Sequence, residues 1–216
     1  MSNTKKSTSK ILLILIVLSV CFVGYITLQD FFKTPGEKIV LAQQKIAEGK
    51  PKQAERLLKM ALNTTNENEE REASYLLGLL YATGGNGLPI NGRWAEMYLE
   101  KAALMGEIEA AYQLALMYDV GTKIPENRVK AISWMMRAAQ QGYAPAEYGL
   151  GVWAEREYLG PVQMDKVVAL YTRAAEKGHT NAMRSLIAIY TGGFGGFPRN
   201  LEQAVYWTRQ LEKTEE

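Results

Sequence analysis

Past residue 36 the chain repeats one pattern of small, aliphatic and aromatic positions. Ala73, Ala110, Ala146 and Ala182 recur at intervals of 37, 36 and 36 residues. Each is followed four residues later by Leu77, Leu114, Leu150 or Leu186, then by Gly78, Ala115, Gly151 or Ile187. Three residues beyond stands Tyr81, Tyr118 or Tyr190, with Ala154 the exception. A second set runs in phase: Ala95, Ala131, Val167 and Ala204 each precede by seven residues Ala102-Ala103, Ala138-Ala139, Ala174-Ala175 and Leu211-Glu212. Spacings of three, four and seven put each set on one face of a helix, with small side chains where helix axes approach. Gly106, Gly142 and Gly178 close the first three units where a helix end needs a left-handed residue. Asn91, Asn127 and Asn200 precede the second helices as N-caps, and Gln163 departs from them. A hairpin of about 36 residues cannot bury its apolar face alone, so such units stack.

The pattern A-x-x-x-L-G-x-x-Y, a glycine-containing turn, then A-x-x-x-x-x-x-A-A-x-x-G resembles the Sel1-like repeat, a relative of the tetratricopeptide repeat. REASYLLGLLYATGGNGLPINGRWAEMYLEKAALMG carries it clearly, as does AAYQLALMYDVGTKIPENRVKAISWMMRAAQQG. The third unit departs at Ala154, Gln163 and Val167, and the fourth loses the Ala-Ala pair, as a terminal unit can. The resemblance covers 71–216 in four copies. It implies an all-α fold, a right-handed α-solenoid of tetratricopeptide/Sel1-like hairpins. Upstream, Ala42, Ala54, Leu58 and Ala61 have the spacing of a further tetratricopeptide-like hairpin over 37–64, with Gly49-Lys50-Pro51 as its turn.

Ahead of the repeats, Ile11 to Gln29 holds 19 residues without a charge. As a helix at about 1.5 Å per residue it would nearly match a ~30 Å hydrocarbon core. The expected order is a cytoplasmic tail at 1–10, a transmembrane signal anchor at 11–29 and a linker at 30–36. Three lysines precede the span and Lys33 and Lys38 follow closely, which favours an N-terminus in the cytoplasm of a bacterium and a repeat body in the periplasm. Leu18-Ser19-Val20-Cys21 offers a competing lipoprotein reading through Cys21, against which stands the branched Val20 before the cysteine.

Charge then changes its meaning. The formal +2 includes Lys5, Lys6 and Lys10, while no acid precedes Asp30, so residues 30–216 carry about −1. That balance lacks the basic footprint of a nucleic-acid binder. One cysteine excludes an intramolecular disulfide framework, and one histidine beside it argues against a zinc site. The stretches TGGNGLPING and TGGFGGFPRN lack the Gly-Lys-Ser/Thr of a phosphate loop and read as equivalent turns. No nucleophile has a recognisable setting, and Ser-x-x-Lys occurs only in the N-terminal tail, at Ser2–Lys5 and Ser7–Lys10, and nowhere in the repeats, which weighs against a β-lactamase-like hydrolase. Met60, Met97, Met105, Met117, Met135 and Met136 read as packing, as do Tyr98, Trp134 and Trp207 at one shared repeat position. The expectation is a non-enzymatic module without cofactor or metal.

The resemblance also implies a binding face. Carrying the tetratricopeptide register onto the anchors gives a concave surface of first helices: Glu72, Tyr75, Leu79 and Ala82, then Glu109, Tyr112, Leu116 and Asp119. It continues with Pro145, Tyr148, Val152 and Glu155, then Asn181, Arg184, Ala188 and Thr191. Tyr75, Tyr112 and Tyr148 form a ladder ending in Arg184; tyrosine and arginine are enriched at binding hot spots. The same tyrosines equally suit packing between repeats. The expected function is a membrane-anchored scaffold or adaptor binding a protein partner. The alternative is a periplasmic immunity protein that neutralises a type VI secretion phospholipase effector.

Overall fold

The computed structural model describes residues 33–215, so the tail, the apolar run Ile11–Gln29 and Cys21 lie outside the described residues. Among the described residues there are ten α-helices, one short 3₁₀ turn (Phe194–Gly196) and no strand. None of these helices is long and apolar enough to cross a membrane. Two compact units are present, one ending at Ile90 and one beginning at Asn91, so the boundary falls in the loop inside the first repeat.

The first unit contains α1 (Pro35–Ala47), α2 (Pro51–Ala61) and α3 (Glu67–Thr83). Thr34 and Glu37 start α1 reciprocally: the Glu37 N–H donates to Thr34 Oγ1 and the Thr34 N–H to Glu37 Oε2, at 3.2 and 2.7 Å. Proline opens α2, where its missing N–H costs nothing. Ala42, Ala54, Leu58, Ala61, Ala73 and Leu77 are fully buried between the three helices. Each such leucine contributes about 1.5–3 kcal/mol through removal from water.

The second unit contains α4 (Gly92–Leu104), α5 (Ile108–Val120), α6 (Arg128–Gln140), α7 (Ala144–Glu155), α8 (Met164–Glu176), α9 (Thr180–Gly192) and α10 (Leu201–Glu215). The first helices α5, α7 and α9 each pack against the second helices on both sides. Their contact faces are the recurrent small residues: Ala95, Ala102, Ala110, Ala131, Ala138, Ala146, Ala174 and Ala182 have no exposed surface. Leu99, Leu114, Met135, Tyr171 and Leu186 fill the space between. Asn91, Asn127 and Asn200 accept hydrogen bonds from the N–H groups of Trp94, Lys130 and Gln203, while Gln163 makes no such bond.

The glycine-rich turns acquire a reason. In the second unit, the first residue of each second helix meets the turn of the following repeat. Gly92 lies against Lys123, and Met164 against Gly195. The Arg128 guanidinium donates to the Tyr158 carbonyl and covers its ring at 3.9 Å. The first unit does the same at Pro51, which touches Gly85, while the Asn86 side chain donates to the Gly49 carbonyl at 3.2 Å. These turns are spacers between neighbouring hairpins.

Two of the expected packing methionines are corrected. Met135 and Met117 are buried, but Met97 and Met136 are 49% and 46% exposed because they lie on the outward side of α4 and α6. Of the three aromatics at the shared position, Tyr98 and Trp207 are buried, and Trp134 is half-buried beside the Arg137 guanidinium.

Candidate functional site

The expected binding face lies on α3 in the first unit and on α5, α7 and α9 in the second. Each of the last three begins at an equivalent N-cap, Glu107, Tyr143 or His179. The buried stripe of α5 runs through Ala110, Ala111, Leu114, Ala115 and Tyr118. Helical periodicity leaves Glu109, Tyr112, Leu116 and Asp119 beside it. Glu109 is exposed and the other three are half-buried. On α7, Tyr148, Val152 and Glu155 are half-buried; on α9, Arg184 is exposed, as are Asn181, Ala188 and Thr191. In the first unit Glu72 is exposed, Tyr75 and Leu79 are half-buried, and Ala82 is buried.

The tyrosines do more than face outward. Tyr112 meets Tyr143 edge-on at 5.3 Å, and Tyr148 stacks on His179 at 4.6 Å. In both cases the ladder residue of one first helix packs on the N-cap aromatic of the next. Such ring pairs contribute about 0.5–1.5 kcal/mol beyond area burial. Tyr112 and Tyr148 therefore join repeats and remain half-exposed. Burial raises the pKa of the Tyr112 hydroxyl, which keeps it a neutral donor. The acids divide. Glu155 accepts from the Tyr171 hydroxyl at 2.6 Å and Glu72 from the Gln43 amide at 2.9 Å, while Glu109 stays on the exposed edge. The second unit thus offers a partly apolar floor of Tyr112, Leu116, Tyr148 and Val152, edged by Glu109 and Arg184.

His179 is a cap. Its Nδ1 accepts the Ala182 N–H at 3.3 Å, which requires a neutral ring with its proton on Nε2. Burial, slightly opposed by a backbone hydrogen bond, holds its pKa below the ordinary 6.5. With a depressed folded-state pKa, the unfolded chain takes up the proton first as pH falls, so stability is present above about 6.5 and is lost as pH drops through it. The wild-type melting temperature should therefore fall between pH 7 and 5.5 more steeply than that of His179→Asn, whose amide caps without titrating. Parallel pH profiles would remove His179 from this role.

Comparison with known proteins agrees with the fold. The Sel1 repeat family matches residues 71–107, 108–143, 144–179 and 186–211, more than half of the chain, and the chain belongs to that family. It is 32% identical over 116 residues to the chitin synthase regulator SKT5 of Malassezia restricta, a match covering 53% of this chain and 8% of that one. An uncharacterized protein of Neisseria meningitidis serogroup B is 30% identical over 130 residues, covering 60% of this chain and 26% of that one. These matches thus span about a quarter or less of either relative's length. Among solved structures, a Sel1 repeat protein from Oxalobacter formigenes superposes with a TM-score of 0.61 at 24% identity, covering 82% of both chains, and shows the fold alone. Sel1 repeat proteins are in general non-enzymatic modules that bind protein partners.

Proposed function

We propose that this chain is a membrane-anchored interaction module of a bacterial envelope, which holds a protein partner on the face formed by α5, α7 and α9. The observation that carries this reading is the set of half-exposed Tyr112, Leu116, Tyr148 and Val152 on successive first helices, with exposed Glu109 and Arg184 on the same helices. It combines aromatic area with polar edges of both signs, the composition of interface hot spots. The uncharged run Ile11–Gln29 supports the anchor, and the lysines before it support a periplasmic repeat body. Tethering would concentrate the binder near the bilayer.

Photocrosslinkers placed at Glu109 and Arg184 should capture one partner from living cells, and one at Glu202 on α10 should not. Tyr112→Ala/Tyr148→Ala should then weaken that capture by about tenfold or more, the loss typical of truncated hot spots. Because both rings also join repeats, the charge reversals Glu109→Lys and Arg184→Glu serve as variants that leave the ring pairs intact. Capture that is unchanged in all of these, with helical content preserved, would refute the face. The captured protein would also separate roles, a secreted phospholipase marking an immunity protein and an envelope component a scaffold.

A further inference from the structure

Elsewhere in the second unit the third repeat breaks its own pattern. The position after the recurrent first-helix alanine is Ser74, Ala111 or Met183 in the other repeats, all buried; in the third it is Glu147, only 3% exposed. A carboxylate taken out of water costs several kcal/mol unless paired. Glu147 is paired twice, by Lys177 Nζ at 2.6 Å and by Arg173 Nε at 3.4 Å, the arginine from α8 and the lysine from its C-cap. Lys177 is itself peculiar to this repeat, standing where the earlier ones have Met105 and Gln141. Departures from a local rule that carry their own compensation are where function is to be sought.

Above this carboxylate, between α6 and α8, runs an open groove of about 470 Å³ with an apolar floor of Met136, Ala139, Leu150 and Leu170. It continues through Met136 and Gln140 into a second depression beside Trp134 and Arg137. The side chains of Arg173 and Lys177 are 57% and 41% exposed, so both hold Glu147 from above and keep donors toward the groove. One buried negative charge against two cations, with Arg137 close by, leaves the rim positive. Their common anchor fixes the two cations in advance, which lowers the entropy cost of using them.

We propose that this groove is a second docking site, separate from the α5, α7 and α9 face, and that it takes a segment of a partner protein in which an aspartate or glutamate neighbours large apolar side chains. The apolar side chains lie on Met136, Leu150 and Leu170. The acid meets the outer N–H groups of Arg173, whose planar fork suits a carboxylate, and the Lys177 ammonium.

A random-peptide phage library panned on the full chain in detergent, and counter-selected on Arg173→Gln/Met136→Ser, tests this. Both substituted residues are exposed or half-exposed, and Lys177 still pairs Glu147, so the variant should melt with the wild type. Selected peptides should carry Asp or Glu within two residues of Leu, Ile, Met or Phe. Exchange of that acid for its amide, or of wild type for the variant, should weaken binding by about tenfold, the worth of one charge-assisted hydrogen bond. No clone preferring the wild type, selected peptides without an acid, or equal binding by the variant would each overturn the proposal. So would tighter binding to phosphatidylglycerol vesicles than to any selected peptide, which would give the groove to lipid.

Discussion

Arg173→Gln/Lys177→Gln is expected to cost about 3–5 kcal/mol, the penalty for stranding a buried charge. Glu147 keeps 4% of its side-chain surface, and the only cations within pairing distance among the described residues are Arg173 and Lys177. With both gone, the carboxylate has to protonate or pull α7 away from α8. The cations are largely exposed and lose little when released, so the cost is asymmetric. Glu147→Met, which installs the residue of the fourth repeat, removes the charge and its desolvation together and should cost under about 1.5 kcal/mol or stabilise. Arg173→Gln alone keeps the shorter contact from Lys177 and should stay near the wild type. Urea denaturation of the three variants beside the wild type gives the order directly. A double variant within about 1 kcal/mol of wild type would show that water already reaches Glu147.

The repeat itself was legible because its constraint is local and periodic. Two helices can lie close only where side chains are small, so buried alanines such as Ala110, Ala146 and Ala182 announce the seam at fixed spacing. What periodicity does not report is which neighbour covers a face. Met136 and Met135 are adjacent and chemically identical, yet one is buried and the other nearly half exposed. His179 escaped because imidazole is an uncommon helix cap, although its alignment with Glu107 and Tyr143 marked the position. One further signal was present in the chain. Tyr81 and Tyr118 donate to Glu55 and Glu96, which share the repeat position after the second-helix alanine. Where the tyrosine becomes Ala154, that position becomes Ile132, while Tyr190 keeps its hydroxyl opposite Val168. Tyr112 and Tyr148 are half-buried because each ring packs on the next repeat on one side and stays open on the other.

Gly92→Ala should destabilise the protein by about 2 kcal/mol, although every local rule favours it. At the first turn of a helix, alanine is the better helix former by up to about 1 kcal/mol. The obstacle is tertiary. A Cβ built on Gly92 would stand 1.8 Å from the Lys123 carbonyl oxygen and 2.6 Å from its carbon. Backbone atoms cannot rotate aside as a side chain can, so the turn after α5 has to shift, and with it Ile124, which is 6% exposed. Overpacking of that kind costs about 1–3 kcal/mol and exceeds the propensity gain. Arg128 and Met164 occupy the equivalent position in later repeats, where their side chains meet the turns, Arg128 at the Tyr158 carbonyl and Met164 at Gly195. The damage should be visible in place: amide exchange in 121–127 should accelerate, while 180–192 should lose only what global stability loses. A denaturation midpoint at or above wild type, with exchange unchanged at the turn, would mean that the seam between neighbouring hairpins is loose enough to take a methyl group. The stacking of each turn on the preceding second helix would then contribute little to holding the repeats together.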